Sequence, residues 1–288
     1  MGRTMKDTIE GTMIPATSIR SGVSQEVAPS LYCQTLQMVN VCLIGSDDQP
    51  GKWILADAGM PGSADEIVSA AKKWFGDDCK PEAIVLTHGH FDHVGAVVDL
   101  VEKWDVPVYA HELELPYLMG KSKYPKPDPA VEGGMVAKLS ALFPVDPVDL
   151  GNHVRKLPSD GRIPGLSGWK WIHTPGHTPG HVSLFREADR SLIAGDAFLT
   201  VKQDSLFKMI MQEPEICGPP RYWTTDWQAA RESVRRLEAL KPLRVVAGHG
   251  MPMKGEALRQ GLEKLAKEFD RIAIPDYGRY VDGENGGG

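Results

Sequence analysis

Three histidines and an aspartate within six consecutive positions constrain this chain more than any other feature of its sequence. His88, His90, Asp92 and His93 follow a short apolar run over residues 83–87, which predicts a buried strand, and precede a pattern with helical spacing. A loop held at both ends by regular structure presents such side chains toward one point. Neutral imidazoles and carboxylates are the ligands that zinc and similar metals prefer. Asp92 alone fits a helix N-cap equally well, but the four residues together predict a metal site.

The remaining candidate ligands lie far along the chain, at similar junctions. Residues 173–181 hold three histidines at four-residue intervals, and their prolines and glycines exclude a helix, so a tight loop is predicted. Asp196 follows an apolar strand pattern, where an unpaired carboxylate is costly without a positive partner. His249 stands between two glycines after the predicted strand over residues 243–247. A lone histidine at a strand end is more often structural, but together with the first cluster these residues indicate one metal centre.

Composition narrows the class of protein. The formal net charge of -6 argues against a broad nucleic-acid-binding surface. The sequence has no apolar run of the roughly 20 residues that span a membrane and no secretory signal at its N-terminus. Its four cysteines are scattered without a C-x-x-C pair. We therefore expect a cytoplasmic protein with reduced thiols that acts on a small-molecule substrate, without nucleic-acid or membrane partners. A homodimer stays open.

In order and spacing, the motifs H-x-H-x-D-H, G-H-T-x-G-H, G-D and G-H-G resemble those of the metallo-β-lactamase superfamily over residues 36–252. The resemblance implies an α/β fold: a four-layer αβ/βα sandwich of two mixed β-sheets with helices outside. It implies a single domain over residues 31–274. The flanking residues are predicted to form an N-terminal arm, residues 1–30, and a disordered C-terminal tail, residues 275–288.

The same resemblance implies two divalent metal ions, with zinc as the first choice and iron or manganese as alternatives. The residues that match the ligands of one ion are His88, His90 and His177. Those that match the ligands of the second are Asp92, His93 and His249, with Asp196 bridging both. Two further residues match positions that brace the ligands without binding metal, namely Asp57 and His181.

Such a centre implies a hydrolase. Two metals that share a carboxylate hold a water whose pKa falls toward ~7, and the bridging hydroxide attacks a carbonyl or phosphoryl centre. Asp92 is the candidate catalytic residue, which orients the hydroxide and then passes a proton to the leaving group. True β-lactamases of the superfamily usually lack the equivalent of Asp196. The expected substrate is therefore a small ester, lactone or thioester, in a branch similar to glyoxalase II-like and lactonase-like enzymes.

The resemblance leaves alternatives. Lactonases often carry tyrosine where Leu199 stands, and little chain follows His249 for the glutathione contacts of glyoxalase II. A persulfide-dioxygenase-like oxidoreductase with a single iron uses the same fold, and the identity and number of bound metals distinguish it from a hydrolase. A non-catalytic binding protein on this fold usually lacks ligands, and this chain retains all seven.

Substrate contacts are predicted from two irregular stretches, over residues 112–165 and 198–223. The apolar side chains that are candidates for a pocket wall are Phe198, Phe207, Met209, Met211, Tyr222 and Trp223. Packing in the core or at an interface is the alternative for each of them.

Overall fold

The computed structural model describes residues 17–202 and 210–281. The strands of its first sheet are β1 (Ser24–Ala28), β2 (Leu31–Leu36), β3 (Val39–Gly45), β4 (Trp53–Ala56), β5 (Ala83–Val85), β6 (Val108–Ala110) and β7 (Val154–Lys156). They lie side by side in chain order. The pairs from β1 to β4 are antiparallel, and those from β4 to β7 are parallel. The first sheet is therefore mixed.

The second sheet is also mixed. Its strands are β8 (Arg162–Ile163), β9 (Leu166–His173), β10 (Val182–Arg186), β11 (Ser191–Gly195), β14 (Arg244–Ala247) and β15 (Met253–Lys254). They lie in the order β15-β14-β11-β10-β9-β8, with β11 and β14 parallel and the other pairs antiparallel. A separate antiparallel pair is formed by β12 (Leu199–Val201) and β13 (Pro214–Cys217).

The helices connect these strands. They are α1 (Ala64–Phe75), α2 (Phe91–Val94), α3 (Val97–Trp104), α4 (Leu115–Leu118), α5 (Gly134–Leu139), α6 (Trp227–Ala239), α7 (Gly255–Lys267) and α8 (Phe269–Ile272). Short 3-10 turns lie at Glu112–Glu114, Ser140–Leu142 and Gly151–His153. No helix within the described ranges combines the length and the apolar character that a membrane span requires.

Three apolar clusters separate four layers. Every residue of β3 is buried because its two faces pack on different layers. Val41 and Leu43 face the cluster that holds α1 and α3, whereas Cys42 and Ile44 face the cluster between the two sheets. A third cluster packs α6 and α7 on the outer face of the second sheet. The predicted four-layer sandwich of two mixed sheets with helices outside is confirmed.

Both ends of the domain differ from the predicted boundaries. Residues 24–28 form β1 on the edge of the first sheet rather than the end of an arm, since their backbone pairs with β2. At the other end, the amide of Arg279 donates to Asp128 Oδ2 over 2.6 Å, and the Tyr280 hydroxyl donates to the Lys126 carbonyl over 2.6 Å. Part of the predicted disordered tail is therefore packed on the domain. Residues 1–16 and 282–288 lie outside the described residues.

Candidate metal centre

The predicted ligands lie in loops that follow strands of both sheets. The first cluster lies in the loop after β5 and in α2, and His177 lies in the loop between β9 and β10. Asp196 and His249 follow β11 and β14, which are parallel neighbours, so both leave the second sheet at the same edge. Four sequence segments, far apart along the chain, are thereby brought to one edge of the sandwich.

Three histidines form what we call the three-histidine subsite: His88, His90 and His177. One potential ligand atom from each lies within 4.8 Å of the others. His90 Nδ1 lies 2.9 Å from His177 Nε2. All three side chains are buried, with residue exposures of 0%, 2% and 3%. This subsite consists of imidazoles alone.

Two histidines and a carboxylate form what we call the aspartate subsite: Asp92, His93 and His249. Their potential ligand atoms also lie within 4.8 Å of one another. Asp92 Oδ2 lies 3.3 Å from His249 Nε2 and 4.0 Å from His93 Nε2. The side chain of Asp92 is 16% exposed, which makes it the most exposed of the six histidines and aspartates in the two subsites.

Asp196 lies between the two subsites. Its Oδ2 is 3.6 Å from His177 Nε2 and 3.5 Å from His249 Nε2, and its Oδ1 is 3.6 Å from His93 Nε2. A Cβ atom on the neighbouring Gly248 would lie 2.0 Å from Asp196 Oδ1, so only glycine allows this approach. The carboxylate thus lies beside potential ligand atoms of both subsites.

The chemistry of the seven predicted ligands fits a metal ion, and some of their buried atoms have no hydrogen-bond partner among the described residues. These atoms are His88 Nε2, His93 Nε2 and Asp196 Oδ1. An unsatisfied buried polar group costs about 1–3 kcal/mol, and folded proteins contain few of them. Imidazole and carboxylate donors also suit zinc or iron.

Hydrogen bonds orient the rings of the aspartate subsite. Asp57 Oδ1 accepts from the Thr87 amide over 2.7 Å, and Asp57 Oδ2 lies 2.9 Å from His93 Nδ1. His249 Nδ1 donates to the Met38 carbonyl over 2.9 Å. Both contacts occupy the Nδ1 atoms, so the Nε2 atoms of His93 and His249 face the centre.

His181 lies beside the centre but offers it no free nitrogen. Its Nε2 accepts from the amide of Asp196 over 2.9 Å, and its Nδ1 contacts Thr174 Oγ1 over 2.8 Å. Its contacts therefore position the start of the Asp196 loop. Burial, with the neighbouring His177, lowers the pKa of His181 to about 3.

The two subsites differ in charge. Burial lowers the pKa of His177 to about 4, and it also holds the pKa values of His88 and His90 well below their ordinary range. Burial acts in the same direction on His249, but the carboxylates of Asp196 and Asp92 outweigh it and raise the pKa to about 10. Without metal, the three-histidine subsite is neutral at pH 7, whereas His249 is protonated.

The predicted pocket residues divide into distinct groups. Trp223 stacks on His90, with ring centroids 4.0 Å apart, and is buried with Tyr222. Phe198 is fully buried in the cluster under α6 and α7, so its prediction as a pocket wall is wrong. It lies in the short connection between β11 and β12, directly before β12, and packs into that core. Met211 is 42% exposed. The last two candidates lie outside the described residues, namely Phe207 and Met209.

Sequence reasoning missed several buried polar residues around the centre. Glu114 and Tyr124, from the irregular stretch over residues 112–165, contact the loop of the three-histidine subsite. The side-chain NH₂ group of Asn40 donates to the carbonyls of Ala247 and Gly250 over 3.0 and 2.6 Å, on either side of His249. Local sequence gives little sign of these roles, because each residue acts through a partner distant along the chain.

With this geometry, the comparisons identify the family. The model of the metallo-beta-lactamase superfamily matches residues 35–249, well over half of the chain. The chain belongs to this superfamily.

The chain is also similar to individual proteins and to solved structures. The probable metallo-hydrolase YflN of Bacillus subtilis is 48% identical over 259 residues, which cover 90% of this chain and 98% of that protein. Hydroxyacylglutathione hydrolase GloC of Haemophilus influenzae is 27% identical over 157 residues, covering 54% of this chain and 65% of that protein. Among solved structures, TTHA1623 in a di-iron-bound form is 28% identical with a TM-score of 0.52. That match covers 85% of this chain and 97% of the other.

Proposed function

We propose that this protein is a dinuclear metal-dependent hydrolase that cleaves a small ester, lactone or thioester. The observation that carries the proposal is the convergence of two potential ligand trios on one shared carboxylate. Similarity to a probable metallo-hydrolase and to a hydroxyacylglutathione hydrolase supports a hydrolytic reaction. Zinc is the first choice of metal, and the di-iron-bound relative keeps iron as an alternative.

The residues of the centre have two roles, to hold the cations and to orient the ligands. Divalent cations, when bound, lower the pKa of water and polarise a carbonyl oxygen. The residues that would hold them are His88, His90 and His177 on one side, Asp92, His93 and His249 on the other, and Asp196 between them. Asp57 holds the ring of His93 through Nδ1.

Asp92 is the proposed proton carrier. It is more exposed than the histidines around it, so its carboxylate reaches solvent and substrate. The nearby His249 Nε2, 3.3 Å from Asp92 Oδ2, restrains its orientation. Asp92 therefore accepts a proton from the attacking water and delivers it to the leaving group.

The charged contacts of the two central carboxylates offer no support for a phosphodiester substrate. The ion-pair contacts of Asp92 and Asp196 within the described residues are all with histidines, and no lysine or arginine takes part. Trp223 adds an apolar surface against His90. A phosphodiester would gain from cationic side chains, whereas an ester, lactone or thioester does not require them.

Metal analysis combined with a substrate panel tests the proposal. The panel contains an aryl ester, a lactone, a glutathione thioester and a phosphodiester, assayed with and without a chelator. We expect about two metal ions per chain and turnover of one of the first three classes, abolished by chelation. His177→Gln should lower the metal content and abolish turnover, whereas the matched exchange at exposed His153 should change neither. About one iron per chain without hydrolysis would favour the mononuclear oxidoreductase instead.

A further inference from the structure

Glu114 is a fully buried carboxylate whose hydrogen bonds lead to both loops of the three-histidine subsite. Its Oε2 accepts from the amide of Gly89 over 3.0 Å and from the hydroxyl of Tyr124. Its Oε1 accepts from the Thr178 hydroxyl and the Gly180 amide, each over 2.8 Å. The four donors are neutral, and each carboxylate oxygen accepts two hydrogen bonds.

The donors lie directly beside metal ligands. Gly89 separates His88 from His90, and Thr178 follows His177. Glu114 belongs to neither loop, since it ends the 3-10 turn Glu112–Glu114 after β6. One side chain thus joins the loop after β5 to the loop between β9 and β10.

Close packing makes this link specific. A Cβ atom on Gly180 would lie 2.7 Å from Glu114 Cγ, and a Cβ atom on Gly89 would lie 2.6 Å from the Tyr124 hydroxyl oxygen. Real Cβ atoms do not approach other atoms so closely. Glycine at these two positions lets the backbone amides reach Glu114 and its partner. The loops and the carboxylate therefore fit as one unit.

We propose that Glu114 is a positioning residue that sets the distance between His177 and the pair His88 and His90, and so determines the metal affinity of the three-histidine subsite. The inference rests on the metal centre proposed above. Within the described residues, these four hydrogen bonds of Glu114 reach no residue of the aspartate subsite. Asn40 holds the His249 loop in a comparable way and provides a matched control.

The test is a metal titration of the metal-free full chain. Binding of Co²⁺ is measured by its absorption spectrum, and binding of Zn²⁺ by competition with a chromophoric chelator. Variants His177→Ala and His249→Ala assign the two binding steps. In Glu114→Gln, one carboxylate oxygen becomes an NH₂ group that faces two donors, so one loop loses its anchor. We expect the three-histidine step to weaken ~10–100-fold, with the other step changed less than threefold. Asn40→Asp should show the reverse selectivity.

Milder variants keep the test decisive should Glu114→Gln not fold. Tyr124→Phe and Thr178→Val each remove one donor and should weaken the same step by smaller factors. Equal weakening of both steps, or no change in either, in a folded variant of Glu114, Tyr124 or Thr178 would overturn the inference. Neither result would touch the proposed function, which fails separately if the wild-type chain binds no metal.

Discussion

The three-histidine subsite and the aspartate subsite lie side by side but differ in the protonation state of their histidines. In the first, His88, His90 and His177 are buried and burial keeps them neutral. In the second, His249 is held protonated between Asp92 and Asp196 in the metal-free protein. The first subsite therefore offers lone pairs to an incoming cation, whereas the second must first give up protons.

The difference teaches how one centre can bind metal and move protons. A subsite of neutral imidazoles binds a cation without net release of protons, because its rings are uncharged beforehand. The hydrogen bond between His90 Nδ1 and His177 Nε2 opens when both nitrogens bind the cation. A subsite that contains a partly exposed carboxylate, Asp92, has a group that can exchange protons with solvent. We therefore assign tight metal binding to the three-histidine subsite and proton transfer to the aspartate subsite, through Asp92.

The largest expected effect concerns this assignment. Asp92→Asn should lower kcat by ~10²–10⁴-fold, because an amide cannot carry the proton, while most of the metal is retained. His88→Gln, in the other subsite, should lower metal content and turnover together. Steady-state kinetics and metal analysis of both variants measure this. Parallel losses of metal and turnover in Asp92→Asn would contradict the proton-transfer role.

Asp196→Asn tests the charge balance of the aspartate subsite. Removing this carboxylate from the metal-free protein leaves His93 and His249 without their main counter-charge. We expect a loss of about 3–5 kcal/mol in the free energy of unfolding at pH 7.

The pH dependence of that loss follows from His249. Its pKa rises from an ordinary 6.5 to about 10 on folding, so its contribution is fully present below pH 6.5 and disappears as the pH rises through 10. Urea unfolding with a chelator present should therefore show a smaller difference between wild type and Asp196→Asn at pH 10 than at pH 7. A difference that is constant with pH would rule out this source of stability.

Proton release on metal binding separates the two subsites directly. At pH 7 the three-histidine step should release almost no protons, since His177 has a pKa of about 4. The aspartate step should release about one to two protons, because His249 and His93 are protonated before binding. Burial lowers the pKa of His93, but Asp196 and Asp57 reverse the direction. Calorimetric titrations in buffers of different ionisation enthalpy count the protons, and equal counts would remove the distinction.

The smallest effect concerns Trp223. Its stacking on His90 restrains one ligand of the three-histidine subsite. Trp223→Leu should weaken metal binding at that subsite by about 0.5–1.5 kcal/mol. Tyr222→Leu is the matched control. It also removes an aromatic ring from the same cluster, but the ring of Tyr222 does not stack on His90. Equal losses of metal affinity in the two variants would indicate general loosening of the cluster.

The superfamily fold and the grouping of the ligands were predictable because their signals are local. Each predicted ligand follows a strand pattern, and loops after neighbouring parallel strands such as β11 and β14 meet at one edge. Phe198 was assigned to the wrong environment because an apolar residue after a strand fits a core and a pocket equally well. The strand Ser24–Ala28 escaped notice because a short edge strand with polar residues has little periodicity.

Glu114 shows where sequence reasoning stops. An acidic residue between two leucines in a stretch rich in proline and glycine does not predict full burial. Its role depends on Gly89 and Gly180, which lie 25 and 66 positions away along the chain. Only the folded chain brings these donors to one carboxylate.

Anomalous X-ray diffraction from crystals of the zinc-loaded protein tests the two-subsite account most directly. The account predicts two peaks roughly 3.5–4 Å apart. One should lie against His88, His90 and His177, the other against Asp92, His93 and His249, with Asp196 touching both. A single peak at full metal loading, or two peaks that leave Asp196 unbound, would contradict it.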